Sequence, residues 1–345
     1  MKVLVTGGCG FVGSHVVERY AQDKKNRVIA FDNLSRGKLL GKQRTFDFNR
    51  DYLRQFPNVR VVSGDIRKSN DLASAMNGAQ LVIHTAAQTA VTTSVADPVT
   101  DFEVNAVGTF NVLETARRQR KLPTVVVCST NKVYGENVNQ VPLIEQDTRY
   151  EFARKFRRGI AEDFGVDLCE HSPYGCSKLT GDLYAQDYAR LYGMKIGVFR
   201  MSCIYGPRQF GMEDQGWLAW FTIAALRGQT ITIYGDGKQM RDVLYVTDLV
   251  AAYEAFHRSS LSHGVFNMGG GSANTISLLE LVDLLRELTG KKVNLRFDQP
   301  RPSDQKVYVS DIRQAQRRLK WRPVIVPAVG IRRLFEWLRE HLQAV

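Results

Sequence analysis

The stretch TGGCGFVG, residues 6–13, constrains the fold more than any other part of the sequence. It follows a short apolar run typical of a buried strand and precedes a segment whose apolar residues recur at helical spacing. Gly7 permits a tight turn, Gly10 leaves room for another molecule to approach the backbone, and Gly13 allows close packing of the helix on the strand. A strand, a glycine turn and a helix in this order predict the first unit of a parallel α/β sheet.

Apolar runs alternate with helical segments along the rest of the chain. Those predicted to be strands are RVIAFDN, VRVVSGD, AQLVIHTAA, PTVVVCST, KIGVFRMS and GVFNMGG. The alternation predicts an α/β protein with a Rossmann-type doubly wound parallel sheet. We expect residues 1–200 to form this domain, with an irregular insertion at about 136–172. Residues 201–345 are expected to form mainly a smaller C-terminal lobe over the carboxyl edge of the sheet, with some segments returning to it.

Composition narrows the class of partner. The net charge of +12 suits an anionic partner, but the basic residues are scattered and form no stripe interleaved with aromatic residues. Phosphorylated metabolites therefore fit better than nucleic acid. Five cysteines without a CxxC spacing indicate neither a disulfide framework nor a zinc site, and no metal is expected. We see no signal peptide and no long apolar run, so we expect a cytoplasmic protein without membrane contact.

The glycine turn has the context of a dinucleotide site. The amino end of the following helix would face a pyrophosphate, and Asp32 ends the second strand nineteen residues after Gly13. A carboxylate at this point accepts hydrogen bonds from ribose hydroxyls and repels a 2′-phosphate, which favours NAD over NADP. Arg36 weakens this preference because it is a nearby cation. Asp65, in GDI, either reaches the adenine or is an ordinary turn aspartate.

A tyrosine and a lysine stand four residues apart in EHSPYGCSKLT, residues 170–180. On a helix, Tyr174 and Lys178 would share one face. A free phenol has a pKa of about 10, and an adjacent ammonium together with a positive nicotinamide ring should lower that pKa toward neutrality. Thr130 or Ser129, in STNKVYG, would hold a substrate hydroxyl against the phenol. The spacing alone equally fits an ordinary amphipathic helix.

Taken together, TGGCGFVG, Asp32, STNKVYG and YGCSK resemble the extended short-chain dehydrogenase/reductase family, of the kind that modifies nucleotide sugars. The resemblance runs from residue 1 to about 335. Finer signatures, including TNKVYG, HSPYGCSK and GDGKQ, resemble the subfamily of CDP-tyvelose 2-epimerases, also called CDP-paratose 2-epimerases. This implies an NAD-dependent isomerase that inverts carbon 2 of a CDP-hexose, of the paratose/tyvelose or glucose type, through a transient 2-keto sugar. It also implies a homodimer or homotetramer.

The resemblance further assigns roles by position. The catalytic residues would be Thr130, Tyr174 and Lys178. Contacts with NAD are expected from Gly7, Gly10, Phe11, Val12, Gly13, Asp32, Asn33, Arg36, Asp65, Ile66, Ala86, Ala87, Gln88, Asn105, Tyr174 and Lys178. Contacts with the substrate are expected from Thr130, His171, Cys176, Ser202, Gln209, Arg241, Arg301 and Asp304. Arg241 matches the arginine that grips the diphosphate, where a guanidinium fork suits bidentate contact.

Departures from the family pattern leave some roles open. Cys203 stands where many relatives have an asparagine at the diphosphate. Cys176 is either a sugar contact or a packed small thiol, with packing favoured, and His171 is either a sugar contact or a turn residue. Dehydratases of this family carry an Asp–Glu pair after the catalytic threonine, but here Asn131 and Lys132 follow it.

Two other functions stay open on the sequence. A 4-epimerase uses the same catalytic residues, and spacing does not show which carbon reacts. A non-catalytic NAD-binding sensor would keep the glycine turn, although such relatives typically lose the tyrosine or the lysine.

Overall fold

The computed structural model describes residues 1–39, 44–301 and 304–344. The strands in these ranges are β1 (Lys2–Thr6), β2 (Arg27–Asp32), β3 (Val59–Ser63), β4 (Leu81–His84), β5 (Thr124–Thr130), β6 (Leu143–Glu145), β7 (Tyr150–Phe152), β8 (Ile196–Met201), β9 (Cys203–Tyr205), β10 (Ile231–Tyr234), β11 (Met240–Tyr245), β12 (His263–Met268), β13 (Thr275–Ser277), β14 (Leu295–Asp298) and β15 (Val307–Tyr308).

The α-helices are α1 (Phe11–Ala21), α2 (Ser35–Leu39), α3 (Arg44–Leu53), α4 (Ser69–Met76), α5 (Val91–Ala96), α6 (Pro98–Phe102), α7 (Gly108–Arg117), α8 (Pro173–Leu191), α9 (Trp217–Leu226), α10 (Val246–Arg258), α11 (Leu278–Thr289), α12 (Arg313–Leu319) and α13 (Pro327–Glu340). Glu103–Val107 forms a π-helix, and Asn131–Gln140, Arg154–Phe156 and Leu342–Ala344 form 3₁₀ turns. No helix in the described ranges is both long enough and apolar enough to cross a membrane.

Seven strands form one parallel sheet in the order β12-β8-β5-β4-β1-β2-β3. Alternate residues of β1 face opposite layers, as the period of a strand requires. Leu4 packs in the layer of α4, α7 and α8, whereas Val3 and Val5 pack in the layer of α1, α10 and α12. Because both faces of the sheet are covered, its strands are nearly continuous apolar runs. The predicted Rossmann-type doubly wound sheet is confirmed.

The strand order reverses at β1, and this reversal positions the functional cleft. Thr6, the last residue of β1, pairs with Phe31 of β2 on one side and with His84 of β4 on the other. The chain leaves these two neighbouring strands in opposite directions, which opens a crevice beyond their carboxyl ends. Ligands of open α/β sheets bind in such a crevice.

The C-terminal part of the chain divides between two bodies. Strand β12 lies beside β8 in the main sheet, and α10 and α12 cover that sheet. Helices α9, α11 and α13 pack with β10 and β11 around a separate apolar core that includes Phe221, Leu281 and Leu334. This separate body, with strands β9–β11 and β13–β15, forms the smaller lobe beside the cleft.

The stretch at 136–172, predicted to be irregular, has sparse secondary structure. It contains the end of a 3₁₀ turn, the β6–β7 hairpin and a second short 3₁₀ turn. Phe152 and Ile160 pack in one cluster with Tyr308, and Ile160 forms a parallel bridge with Ser310. The insertion is therefore packed against the segment around β15.

Candidate active site

The glycine turn between β1 and α1 has the geometry that its sequence predicts. Gly7 has a φ of +68°, which side chains with a Cβ rarely adopt. A Cβ on Gly13 would lie 2.0 Å from the carbonyl oxygen of Gly7, so only glycine allows this approach of helix and turn. The first backbone N–H groups of α1 have no acceptor within their own helix and lie at the cleft, where they suit a phosphate.

Asp32 ends β2 beside this turn. Its Oδ2 accepts a hydrogen bond from the backbone N–H of Cys9 at 3.0 Å, and its Oδ1 accepts one from the N–H of Leu34 at 2.9 Å. Burial raises the pKa of Asp32, and these two hydrogen bonds oppose the rise because they stabilise the carboxylate. The carboxylate thus holds the glycine turn while it lines the cleft.

One cleft runs from the glycine turn to the Tyr174 helix. Most of the predicted cofactor residues line it, namely Gly7, Gly10, Phe11, Val12, Gly13, Asp32, Asn33, Arg36, Asp65, Ile66, Ala86, Ala87, Gln88, Tyr174 and Lys178. Their predicted contacts with NAD stay predictions, but the structure brings these residues together. No sequence motif indicates the other lining residues, which include Ser35, Thr85, Thr89, Thr100, Met201 and Gln215.

Asp65 lies at the end of the cleft near Asn33. The guanidinium of Arg67 donates to both carboxylate oxygens of Asp65, at distances from 2.8 to 3.2 Å. This pairing lowers the pKa of Asp65 to about 2. Asn33 Nδ2 adds a hydrogen bond to Asp65 Oδ2 at 3.2 Å. Asp65 is therefore a fixed, ionised acceptor at the place where an adenine contact is predicted.

Helix α8 carries Tyr174 and Lys178 on one face. It begins with the N-cap Ser172, whose side chain accepts a hydrogen bond from the Gly175 N–H, and with Pro173 in its first turn. Lys178 Nζ donates to the backbone carbonyl oxygen of Cys128 at 2.6 Å. The ammonium is thereby fixed to β5, the strand that ends in Thr130.

The Tyr174 phenol is buried, and burial affects its pKa. Burial raises the pKa of its phenol to about 12, although a hydrogen bond with the Thr130 side chain opposes the rise. The negative charge of Asp101 adds to the increase. Removal of the phenol from water is the largest contribution to this increase, and the expected shift toward neutrality beside a positive nicotinamide ring stays a prediction. Burial also lowers the pKa of Lys178.

The structure distinguishes Thr130 from its neighbour Ser129. Ser129 Oγ donates to Asp182 Oδ2 at 2.6 Å, and Asp182 forms a buried ion pair with Arg200 at 2.9 Å. Ser129 is buried and its hydroxyl is held by Asp182, although the residue also lines the cleft. The Thr130 side chain contacts the Tyr174 phenol, while its Oγ1 also accepts a hydrogen bond from the Lys132 N–H at 3.2 Å and donates to Asn131 Oδ1 at 3.3 Å.

A buried polar network lies directly behind the cleft, around Asp101. Its carboxylate accepts hydrogen bonds from Ser177 Oγ at 2.5 Å, from Gln88 Nε2 at 2.9 Å and from Asn105 Nδ2 at 3.0 Å. Asn105 also exchanges hydrogen bonds with the backbone of Gln88, at 2.9 and 3.0 Å. The sequence predicted Asn105 as a cofactor residue; it lies outside the cleft lining and holds the loop that lines it. Asp101 was missed.

Asn105 occupies the π-helix that precedes α7. Here the Gly108 N–H bonds to the Glu103 carbonyl, five residues back. Thr109 Oγ1 donates to the Asn105 carbonyl at 2.6 Å and also lies 2.9 Å from Nε2 of the buried His84. The wider turn thus directs the Asn105 side chain toward Gln88. Such π-bulges are frequent at functional sites.

A basic cluster lies beyond Thr130, on the side of the smaller lobe. Arg241 Nη2 pairs with Asp304 Oδ1 at 2.8 Å. Burial lowers the pKa of Lys132, with Asp304 opposing this and Arg241 adding to it, so all three charges lie close together. Cys203 belongs to the same region: its Sγ accepts a hydrogen bond from Trp217 Nε1 at 3.4 Å. Two cations on this side of Thr130 suit an anionic ligand.

Other predicted substrate residues lie apart from this cluster. Arg301 pairs with Asp214 at 3.0 Å, and its guanidinium lies 4.0 Å from the centre of the Tyr234 ring. Ser202 Oγ donates to Oδ1 of the buried Asp242 at 2.6 Å. These two side chains are occupied by protein partners, so their predicted substrate contacts stay predictions.

All eight predicted substrate residues, including the remaining three, lie outside the cleft lining. Gln209 Nε2 donates to the Ile204 carbonyl at 3.1 Å. His171 Nε2 lies 2.9 Å from the Val166 carbonyl oxygen, within the insertion. Cys176 is exposed, which corrects the expectation of a packed thiol, because it faces outward from α8 between two buried residues.

Comparison with known proteins is consistent with this geometry. Residues 3–269 match the NAD dependent epimerase/dehydratase family. The chain is 38% identical to the CDP-paratose 2-epimerase of Salmonella typhi, with 98% of this chain and 99% of that protein covered. It superposes with a TM-score of 0.81 and 30% identity on UDP-glucose 4-epimerase from Thermotoga maritima in complex with UDP-glucose, over 99% of this chain and 100% of that one.

A second solved structure contains the cofactor. UDP-glucuronic acid 4-epimerase from Bacillus cereus, in complex with UDP-glucuronic acid and NAD, superposes with a TM-score of 0.83 at 25% identity, over 99% of each chain. The predicted resemblance to the extended short-chain dehydrogenase/reductases is confirmed, and so is NAD as the cofactor. The chain belongs to the NAD dependent epimerase/dehydratase family and is an enzyme of its epimerase class.

Proposed function

We propose that this enzyme inverts carbon 2 of a CDP-hexose. Tyr174 and Lys178 line one end of the cleft that begins at the glycine turn, the Thr130 side chain contacts the Tyr174 phenol, and this arrangement carries the proposal. The choice of CDP and of carbon 2 is supported by the full-length similarity to a CDP-paratose 2-epimerase. In this account residues 1–200 supply the NAD site, and residues 201–345 mainly supply the sugar-nucleotide site.

We assign a different part of the reaction to each of these residues. NAD held by the cleft residues would supply reversible hydride transfer at carbon 2 of the sugar, with a 2-keto sugar between the two transfers. Tyr174 takes the proton from the 2-hydroxyl and gives it back when the hydroxyl forms again. Thr130 orients that hydroxyl toward the phenol. Lys178, fixed by Cys128, supplies the positive charge that favours the phenolate.

The keto sugar must turn over between the two hydride transfers, so its diphosphate needs a fixed anchor. Arg241 is our candidate, because a guanidinium can bind two phosphate oxygens at once. Asp304 holds the guanidinium at 2.8 Å and fixes its orientation. Lys132 lies near both charges and adds a second cation beside Thr130. An anchored diphosphate leaves the hexose free to rotate while the reacting groups stay in place.

The first test is the Tyr174→Phe variant, assayed with CDP- and UDP-linked glucose and paratose. We expect wild-type enzyme to invert carbon 2 of a CDP-sugar and the variant to lose about 10³-fold in kcat while keeping its NAD. Tyr184→Phe is the matched control, because Tyr184 lies on the same helix with its ring at the surface. Activity of Tyr174→Phe within a factor of ten of wild type would overturn the assignment of the base.

A 4-epimerase is the second candidate, because the solved relatives described above are 4-epimerases with UDP-sugars. The same assay separates the two functions. Inversion at carbon 4 of a UDP-sugar, with no change at carbon 2 of the CDP-sugars, would replace the proposed reaction while retaining the same catalytic residues. NAD binding without turnover of any sugar would instead favour a sensor.

A further inference from the structure

Residues 206–216, which connect β9 to α9, cross from the smaller lobe onto the NAD-binding domain. We call this segment the strap. Near its start, the Pro207 carbonyl oxygen lies 2.8 Å from His15 Nε2 of α1. Arg208 is buried, pairs with Glu18 at 2.6 Å and donates to Ser14 Oγ at 3.3 Å. The strap is therefore anchored on α1, the helix that follows the glycine turn.

The backbone at the anchor and the next side chain strengthen this attachment. Arg208 has a φ of +62°, an unusual conformation for a residue with a Cβ, which its ion pair and burial maintain. Phe210 packs edge-on against Phe48 of α3 and Trp337 of α13, with ring centres 5.7 and 5.9 Å apart. Both bodies of the protein thus hold the base of the strap.

The end of the strap reaches the cleft. Met212 and Gln215 exchange two backbone hydrogen bonds, at 2.8 and 2.9 Å, and this small closed loop fixes where the Gln215 side chain points. Gln215 Oε1 accepts a hydrogen bond from Arg36 Nη2 at 2.8 Å, and Gln215 Nε2 donates to Thr89 Oγ1. All three residues line the cleft.

These two hydrogen bonds join the opposite rims of the cleft. Arg36 follows β2 and Asp32, on the side where the adenine ribose is expected. Thr89 follows β4 and Gln88, on the side that leads toward Tyr174. The glycine turn lies between the two rims, at β1. A dinucleotide seated over the glycine turn would then lie under the bridge formed by Gln215.

We propose that Gln215 is a cofactor-retaining residue, which closes the cleft over the dinucleotide and slows its release. This inference rests on the proposed function, because hydride return requires the reduced cofactor to stay bound while the keto sugar turns. Burial lowers the pKa of Arg36 to about 10, so its guanidinium remains charged at neutral pH and its hydrogen bond to Gln215 is charge-assisted. Loss of such a contact corresponds to roughly 10- to 100-fold in an equilibrium or a rate.

Release of the cofactor is measured without any sugar, so the result does not depend on which sugar reacts. Protein loaded with NADH is mixed with excess NAD, and the decay of NADH fluorescence gives the dissociation rate. We expect Gln215→Ala to release NADH at least tenfold faster than wild type and to lose NAD on dialysis. Gln215→Glu, which can still accept from Arg36 and from the Thr89 hydroxyl, should restore most of the retention.

Gln229→Ala is the control, since it removes an exposed glutamine just after α9. It should release NADH at the wild-type rate. Equal release from Gln215→Ala and wild type, with circular dichroism showing both folded, would overturn the role of Gln215 and leave the proposed reaction untouched. If the enzyme converts no CDP-sugar but retains NADH tightly through Gln215, the proposed reaction is overturned and the proposed role of the strap is unaffected.

Discussion

Ser177 Oγ donates a 2.5 Å hydrogen bond to Asp101 Oδ2, and this contact joins the helix of Tyr174 to the elements behind the cleft. The same carboxylate holds the side chains of Gln88 and Asn105. One buried acid therefore sets the distance between α8 and the loop after β4, both of which line the cofactor cleft. Its charge also reaches the phenol, because it contributes to the raised pKa of Tyr174.

We predict that Asp101→Asn lowers kcat about tenfold, with a smaller change in KM. The amide would present an N–H₂ group toward donors of Gln88 and Asn105. The network must therefore rearrange, which would shift the residues that line the cleft. Loss of the negative charge should also lower the pKa of Tyr174. The limb of the kcat profile that rises with pH should therefore move to lower pH, and pH–rate profiles of the purified variant check this.

Asp97→Asn is the matched control for that variant, because it makes the same change at the exposed N-cap of α6, where asparagine also caps well. A purely structural role for Asp101 would reduce the amount of active enzyme without moving the pH profile. An unmoved profile for Asp101→Asn would thus contradict the electrostatic coupling to Tyr174.

Arg241 gives a prediction about the diphosphate anchor. Arg241→Lys keeps the charge but loses the fork, so we expect KM for the sugar nucleotide to rise about 10- to 100-fold. We expect a smaller decrease in kcat, because the substitution does not change the reacting groups. Arg286→Lys, at an exposed arginine that pairs with Asp283 on α11, is the control. Steady-state kinetics with the CDP-sugar measure both, and equal KM values for the two variants would rule out this anchor.

The outer faces of α7 and α8 predict a homodimer. Phe110 of α7 packs edge-on against Tyr184 of α8 with ring centres 5.5 Å apart, while Leu183 and Tyr184 are 50% and 45% exposed. Large apolar side chains grouped on adjacent helices are typical of an interface. We expect light scattering after gel filtration to give the mass of two chains for the wild type. Leu183→Asp should give one chain, and a monomeric wild type would contradict the expectation.

Buried histidine predicts how stability depends on pH. His84 lies between the hydroxyls of Thr6 and Thr109, and burial lowers its pKa to about 3. In the unfolded chain a histidine titrates near pH 6.5, so between pH 6.5 and 3 the unfolded state binds a proton that the folded state cannot hold. The contribution of His84 to stability is thus present above pH 6.5 and is lost as the pH falls toward 3.

Urea unfolding between pH 4 and 7 checks this effect. The His84→Gln variant should show a slope of unfolding free energy against pH that is smaller than that of wild type by up to one proton, about 1.4 kcal/mol per pH unit. The exposed His263→Gln serves as the control. Identical slopes for His84→Gln and wild type would mean that His84 takes up its proton in the folded state.

The local parts of this site could be predicted from the sequence, and the long-range parts could not. The glycine turn depends on residues within one strand and one helix, and Tyr174 and Lys178 share a face because of helical spacing alone. Asp101 meets Ser177 across 76 residues, and Gln215 meets Thr89 across 126. These contacts arise only when the sheet brings the loops after β4 together with α8 and the strap.

The hydrogen-bond partner of Lys178 shows a second limit of prediction from the sequence. Its ammonium is held by the carbonyl oxygen of Cys128. Because every residue has a backbone carbonyl, the sequence cannot show which one accepts this hydrogen bond. The degree of burial of the phenol, which is the largest contribution to the raised pKa of Tyr174, also depends on the whole fold. The π-helix at Glu103–Val107 was also missed, because its apolar spacing differs little from that of an α-helix.

Isotope retention at carbon 2 tests the central claim most directly. A CDP-sugar deuterated at carbon 2 is converted in ordinary water, and the product is analysed by mass spectrometry and NMR. Hydride return by the bound cofactor predicts that the epimerised sugar keeps its deuterium at carbon 2. Loss of the deuterium to solvent in the epimerised product would show that carbon 2 exchanges a proton instead, and would contradict the proposed mechanism.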